Sequence, residues 1–219
     1  MEFTLLAAAL GGVACLWIGL RATGPTSDFD LAVTAAVVGM FGGRIVAMVL
    51  AGVNPLAHPL DVVLVRGGVD PVGATLAALA YLAWASRSRP GRLDALGPAA
   101  LAGLAGWHAG CLWRGTCLGA AGDVPWGWSL AGSDVVRHPV ELYTAGLLVA
   151  AAVILTRASR GRAGLALAAA AGARLLTEGL RPGLGDGPAP WYGAGVAAGI
   201  GWFLVRRRGP RPPQAAARR

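Results

Sequence analysis

Lysine is absent from the sequence, so all 19 basic residues are arginines, and charged residues of either sign are scarce. They make up 14% of the chain, whereas soluble domains carry roughly 25%. This scarcity argues against an ordinary soluble domain. The net charge of +8 and the pI near 10.9 would suit a nucleic-acid-binding protein, but the arginines lie in short loops between apolar runs and not on one basic face. We therefore expect no nucleic-acid partner.

Cysteine is scarce as well, because the sequence has only Cys15, Cys111 and Cys117. Three cysteines are too few for a fold held together by a disulfide framework. With His108, the last two form a group that allows three interpretations: a metal site, a disulfide across the outer end of a helix, or a packed histidine beside free thiols. The spacing matches no strong zinc signature. We expect no metal and no other cofactor, and free thiols are the default expectation.

Apolar residues, by contrast, are abundant: they make up 55% of the chain, and the mean hydropathy is +0.58. A helix of about 20 apolar residues spans a bilayer core. Seven segments reach or approach that length: 3–20, 31–53, 71–86, 94–113, 139–156, 163–181 and 189–205. We predict an all-α, polytopic integral membrane protein of about seven transmembrane helices, with a membrane domain over 1–209 and a disordered cytoplasmic tail over 210–219.

The loops between these segments differ in charge. Arginines concentrate in 87–92, in 157–162 and after residue 205, whereas the intervening loops hold few arginines and most of the aspartates. The positive-inside rule places the arginine-rich loops in the cytoplasm. Seven crossings then put the N-terminus outside and the C-terminus in the cytoplasm. Two long loops, 54–70 and 114–138, fall on the outer side.

Some charged residues lie inside apolar segments, where charge is expensive and needs a reason. Arg44 lies in the second segment, and Arg174, Glu178 and Arg181 lie in the sixth. The spacing of four and then three puts the last three on one helical face. Three arginines against one glutamate leave positive charge, which suits a phosphate group because arginine binds phosphate bidentately. The alternative is a buried ion pair that only locks helices together.

The run Arg137-His138-Pro139-Val140-Glu141-Leu142-Tyr143 marks the outer start of the fifth segment. Proline suits the first turn of a helix. The spacing allows Arg137 and Glu141 to pair at the outer interface. A helix start with an exposed salt bridge is the alternative interpretation.

Taken in order, these motifs resemble those of the prolipoprotein diacylglyceryl transferase family. Arg137-His138-Pro139 with Leu142-Tyr143 is similar to the family's R-H-P-S-Q-L-Y-E, and Arg174, Glu178 and Arg181 match R-x-x-x-E-x-x-R. The resemblance covers about 40–204. The other matches are Gly42-Gly43-Arg44 to Gly-Ala-Arg, 54–60 with Arg66-Gly67-Gly68 to the segment of the paired glycines, 110–119 to G-R-x-G-N-F-x-N-x-E-x-x-G, and 123–127 to D-x-P-W-G.

Several positions depart from the family pattern. The histidine that follows the paired glycines falls on Val72, and the signature arginine falls on His108. The remaining substitutions are Cys111 and Arg114 for two signature asparagines, Thr116 for the signature glutamate, and Ala170 for a tyrosine. The two cysteines resemble a cysteine-bearing variant branch of the family. The usual base is therefore replaced.

The resemblance implies a bacterial inner-membrane enzyme that moves diacylglyceryl from phosphatidylglycerol to the cysteine thiol of a prolipoprotein lipobox. Its partners would be phosphatidylglycerol, lipobox peptides and membrane lipid. Thiolate is the nucleophile, and histidine exchanges protons near neutral pH. The roles implied for this chain are phosphate binding by Arg174 and Arg137, orientation of Arg174 by Glu178, proton abstraction by His108, and substrate binding by Arg44, Arg181, His138, Tyr143, Gly67 and Gly68, with His138 as the reserve base.

Two alternatives remain open at this point. One is a catalytically altered or inactive homologue that binds phospholipid or lipoprotein without transfer. The other is a small membrane transporter with an anion site inside the membrane.

Overall fold

The fold consists mainly of helices, seven long and one short, together with one small hairpin. The structure, a computed structural model, describes residues 3–24, 26–63, 68–89, 91–111, 117–129, 132–158, 160–182 and 188–208. The predicted tail, 210–219, lies outside these ranges. The long helices are α1 (Phe3–Thr23), α2 (Phe29–Leu50), α4 (Pro71–Ala85), α5 (Gly91–Gly110), α6 (Val140–Thr156), α7 (Arg162–Glu178) and α8 (Ala189–Arg208).

Each of the seven predicted segments coincides with one long helix. By length and composition, two stretches are apolar enough to cross a bilayer, Leu6–Thr23 and Thr26–Leu50, and two shorter helices, Pro71–Ala85 and Val140–Thr156, are also apolar. The prediction of a mainly helical protein is confirmed. The exact number of crossings and the orientation of the termini stay predictions.

The two long outer loops contain secondary structure that the sequence analysis did not predict. The segment 54–70 includes a short helix, α3 (Pro59–Val63). The segment 114–138 includes an antiparallel pair of two-residue strands, β1 (Trp128–Ser129) and β2 (Val136–Arg137). An isolated bridge joins Ala121 to Arg137 on the other side of β2. The all-α assignment therefore holds for the bundle but not for this loop.

Helix α5 lies at the centre of the bundle, where it packs against α1, α6 and α7. Small residues permit the close approach of α1: a Cβ added to Gly11 would lie 2.9 Å from the carbonyl oxygen of Gly106. On its other side, Leu101 of α5 and Leu148 of α6 are each 1% exposed and belong to one apolar cluster. Helices in a membrane gain stability from such close packing, since lipid is as apolar as they are.

Polar contacts tie the helix ends together on the side of the arginine-rich loops. Asp94, in the first turn of α5, accepts hydrogen bonds from the backbone nitrogens of Gly161 (3.1 Å) and Ala163 (3.0 Å) at the start of α7. Asp28, which is 2% exposed, pairs with Arg92 at 2.6 Å. These contacts fix one end of the bundle. The end of α5, the start of α6 and the end of α7 consequently meet at the opposite end.

Candidate functional site

Glu141 is the centre of a charged cluster at this opposite end. It lies in the first turn of α6 and is 6% exposed. Its Oε2 is bonded to Nδ1 of His108, its Oε1 accepts a hydrogen bond from Arg181, and Arg174 Nη1 lies 3.8 Å from the same Oε1. Three helices, α5, α6 and α7, therefore place their polar residues around one carboxylate.

His108 reaches this carboxylate from the last turn of α5. Because an ionised carboxylate can only accept, the Nδ1 of His108 donates the hydrogen bond. The other ring nitrogen, Nε2, has no hydrogen-bond partner among the residues that the structure describes. The His108 side chain is 14% exposed. The arrangement leaves a proton acceptor whose orientation is set by a buried neighbour.

Arg174 lies on the inner face of α7, where it contacts α8. Its Nε and Nη2 donate to the hydroxyl oxygen of Tyr192 at 3.3 and 3.0 Å, and its guanidinium carbon lies 5.5 Å from the centre of the same ring. The Arg174 side chain is 29% exposed, against 16% for Arg181 and 8% for Glu141. Arg174 therefore keeps N–H donors available at the open side of the cluster.

Arg181 follows the end of α7 and is held by two oxygens of α6. Besides its bond to Glu141, it donates from Nη2 to the hydroxyl oxygen of Thr144 at 3.1 Å. Thr144 is fully buried and lies 3.0 Å from the hydroxyl of Thr177 in α7. The Nε of Arg181 is 3.8 Å from Glu178 Oε2, which is an ion-pair distance but too long for a hydrogen bond. Arg181 thus joins α6 to α7.

The charge of this cluster differs from the expectation. Arg174 and Arg181 face Glu141 and Glu178, so with a neutral histidine the four charges balance. The expected excess of positive charge included Arg44, but Arg44 contacts a different region: its Nε donates to the carbonyl oxygen of Asp61 at 2.9 Å and its Nη1 to that of Gly68 at 3.1 Å. Arg44 is 7% exposed and holds the loop between α2 and α4.

The expected pairing of Arg137 with Glu141 is wrong among the described residues. Arg137 lies in β2, and its Nη1 donates to the carbonyl oxygen of Gly119 at 3.4 Å. Glu141 points instead into the bundle, where it accepts hydrogen bonds from His108 of α5 and from Arg181 just beyond α7. The backbone of 119–122 pairs with 136–138, so the side chain of Arg137 follows the hairpin and not the helix. The spacing of the two residues in the sequence did not show that Arg137 belongs to the hairpin and Glu141 to the helix.

His138 and Tyr143, which the resemblance assigned to substrate binding, come together in a second cluster. His138 Nδ1 lies 3.3 Å from the hydroxyl oxygen of Tyr143, and Trp126 Nε1 donates to that oxygen at 2.7 Å. The Trp126 side chain is 61% exposed. A Cβ on Gly122 would collide with the His138 ring, which would then have to move. This cluster joins the hairpin to the start of α6.

The remaining candidates lie at the ends of the outer loops. Gly68 has a φ of +84°, a left-handed conformation that glycine adopts easily, and its carbonyl oxygen is the one that Arg44 binds. Gly67 lies outside the described residues. Cys111 and Cys117 form a disulfide with a Cα–Cα distance of 5.9 Å, so the default expectation of free thiols is wrong for this pair. The thiol of Cys15 is free.

The sequence analysis missed two residues of the site. Glu141 was predicted to pair with Arg137 at the outer interface, although a carboxylate two residues after a helix-starting proline, inside an apolar segment, could have signalled a buried role. Tyr192 was not considered, and its position 18 residues after Arg174 offers no periodic signal. Arg174, Arg181, Glu178 and His108 were each proposed, and the structure brings Arg174, Arg181 and His108 onto Glu141 and places Glu178 beside Arg181.

Comparison with known proteins adds a family to this geometry. A family model described as prolipoprotein diacylglyceryl transferase matches residues 3–196. The matched range includes the whole cluster around Glu141 and all the helices from α1 to α7, together with the start of α8. No curated protein matches the chain.

Proposed function

Because the chain belongs to the prolipoprotein diacylglyceryl transferase family, a family of membrane transferases, we propose that it moves diacylglyceryl from phosphatidylglycerol to a lipobox cysteine thiol. The proposal places it in the bacterial inner membrane as a multi-pass protein, with the N-terminus outside and the C-terminus in the cytoplasm. The Glu141 cluster then lies in the outer half of the bilayer, where phosphatidylglycerol headgroups and translocated lipobox peptides are both present.

One observation carries the proposal: a base and two cations converge on a single buried carboxylate. Among the described residues, His108 Nε2 has no hydrogen-bond partner, and Arg174 Nη1 donates no hydrogen bond and lies 3.8 Å from Glu141 Oε1. Transfer to a thiol needs both functions, since thiolate is the nucleophile and a phosphate must leave.

In the proposed reaction, His108 Nε2 takes the proton of the lipobox thiol. The sulfur then forms a bond to the phosphate-bearing carbon of the diacylated glycerol unit. The bond between that carbon and the phosphate oxygen breaks. The electron pair of the broken bond stays on the departing glycerol phosphate. The products are a thioether-linked diacylglyceryl peptide and glycerol phosphate, and the proton on His108 is passed to solvent or to the leaving group.

Arg174 is the phosphate-binding residue in this scheme, because it is the most exposed cation of the cluster and its contact with Glu141 is long, at 3.8 Å. Tyr192 accepts a hydrogen bond from Arg174 and so holds its guanidinium group in place. Arg181 donates from Nη1 to Glu141 and from Nη2 to Thr144 and supports the site. Once His108 carries a proton, the charge-balanced cluster gains one positive charge, which favours the departing phosphate. Arg137, His138 and Tyr143 form the outer wall, on the side of the hairpin.

The test is a transfer assay with purified protein, vesicles of labelled phosphatidylglycerol, and a lipobox peptide. We expect a peptide product that carries both acyl chains and an equal amount of released glycerol phosphate, and neither product with a peptide in which serine replaces the cysteine. Binding of the lipid without either product would support a binding-only homologue. Movement of phosphate or glycerol phosphate across sealed vesicles without peptide modification would support a transporter.

A further inference from the structure

Glu141 has a role that neither the motif resemblance nor the family assignment supplies. We propose that Glu141 is a positioning residue for the transfer reaction: it holds His108 in the tautomer with the proton on Nδ1, so that Nε2 is the proton acceptor. The inference rests on the proposed function. It explains how a histidine can act as the base at the position where the family signature has an arginine.

The hydrogen-bond geometry determines the tautomer. A neutral imidazole carries its proton on one nitrogen only, and the carboxylate of Glu141 accepts but does not donate. The contact between Glu141 Oε2 and His108 Nδ1 therefore places the proton on Nδ1. The lone pair is left on Nε2. A carboxylate that orients an imidazole in this way also stabilises the imidazolium that forms when the base takes a proton.

The carboxylate itself is held in place by other bonds. Arg181 binds the second oxygen, Oε1, and is anchored to Thr144, which contacts Thr177 across the helix interface. Glu141 is 6% exposed, so water offers no alternative partner for most of its surface. Rotation of the carboxylate away from His108 would break several bonds at once. The cluster thus keeps one orientation of the histidine ring.

Among the residues that the structure describes, the charged groups of the cluster that includes His108 come from two helices. Helix α6 contributes Glu141, and α7 and its end contribute Arg174, Glu178 and Arg181. Among the described ion pairs, only Glu141 contacts the imidazole directly. Glu178 faces Arg181 instead, at 3.8 Å. The two carboxylates therefore differ in what they touch, and this difference supplies a matched control.

The direct test reads the tautomer by NMR. The chain has three histidines, His58, His108 and His138, so protein labelled with ¹⁵N-histidine yields few signals, which His58→Gln and His138→Gln assign. We expect His108 in phosphatidylglycerol-containing nanodiscs to carry its proton on Nδ1. A proton on Nε2 of His108 in the parent protein would overturn the inference, whether or not the protein is active.

A double-mutant cycle tests the role in turnover. Glu141→Gln should lower kcat by roughly 10²–10⁴-fold, because a histidine base in the wrong tautomer loses most of its contribution, with an unchanged KM for phosphatidylglycerol. In a His108→Gln background the same substitution should change kcat less than about 3-fold, because its target is gone. Glu178→Gln should have the same effect in both backgrounds, since Glu178 contacts Arg181 and not His108.

The outcomes separate this inference from the proposed function. Equal effects of Glu141→Gln in the two backgrounds would show that Glu141 acts through the arginines or the fold, and would overturn the inference while transfer stands. Absence of transfer in the parent, with the proton found on Nδ1, would overturn the proposed function and with it the role of Glu141 in turnover.

Discussion

Arg181, just beyond the end of α7, donates a hydrogen bond to Glu141 in the first turn of α6. The pair joins the two helices at the end of the bundle where the candidate site lies. The Arg181 side chain is 16% exposed and that of Glu141 is 8% exposed. A pair so little exposed is sensitive to the loss of one partner, because the remaining charge is left without compensation.

We expect Arg181→Ala to destabilise the protein by about 3–5 kcal/mol, the range for breaking a buried pair from one side. Thermal unfolding in detergent, followed by loss of soluble protein, measures the change. Arg157→Ala is the control, since Arg157 is exposed at the end of α6. A melting temperature of Arg181→Ala equal to that of the control would show that the pair contributes nothing to the fold.

Arg174→Ala should reduce the rate of transfer by roughly 10²–10³-fold, the usual effect of removing one group that stabilises developing charge. Arg174→Lys keeps the charge but loses the pair of N–H donors that reaches Tyr192. Its rate of transfer should lie between those of the parent and of Arg174→Ala. Turnover of labelled phosphatidylglycerol is measured together with thermal unfolding. Unchanged turnover in a folded Arg174→Ala protein would remove Arg174 from the site.

The membrane orientation is tested by cysteine labelling in intact cells, with Cys15 replaced by serine. Asp134→Cys and Ser88→Cys introduce single thiols into the outer loop and into an arginine-rich loop, and both positions are exposed. A membrane-impermeant maleimide should label position 134 and should reach position 88 only after the cells are opened. The reverse pattern would move the Glu141 cluster to the cytoplasmic leaflet, away from translocated lipobox peptides.

Gly106→Ala tests the close contact between α1 and α5. The added Cβ would lie 2.8 Å from the sulfur of Cys15 and closer still to the Gly11 carbonyl oxygen. Because the added Cβ would collide with backbone atoms, we expect the free energy of unfolding to fall by about 1–3 kcal/mol. Gly146→Ala in α6 is the control, since nothing lies within 4 Å of its added Cβ. Equal melting temperatures of the two variants would mean that the helices are not packed as described.

The helices of this protein are predictable from sequence, whereas the contacts of its polar residues are largely not. Apolar runs bounded by arginine-rich loops locate all seven long helices, because bilayer thickness sets the length of such runs. The spacing of Arg174, Glu178 and Arg181 predicts one helical face, but only Arg174 and Glu178 lie in α7, and Arg181 lies beyond its end. The partner of Arg181 is 40 residues away in sequence, and it depends on how α6 packs against α7. No local pattern encodes that distance.

Arg44 is a second residue whose contacts could not be predicted from the sequence. An arginine within an apolar segment predicts a polar environment, and the structure provides one in the form of two backbone carbonyl oxygens. The sequence does not show whether Arg44 binds phosphate, because that depends on which loop packs over its side chain. Its two partners, Asp61 and Gly68, lie in a segment that the sequence predicts only as an outer loop. Whether Arg44 also contacts substrate stays a prediction.

The central claim is that the cluster around Glu141 carries out the transfer reaction. The variant His108→Gln tests this claim most directly. Turnover, binding of phosphatidylglycerol and thermal unfolding are measured on the same preparation, with His58→Gln as the control, because His58 is exposed in the loop after α2. We expect His108→Gln to lower the rate of transfer by roughly 10²–10⁴-fold, the usual range for a general base, while lipid binding and melting temperature stay close to those of the control. Turnover within a few-fold of the parent would contradict the account, and His138 would then be the next base to test.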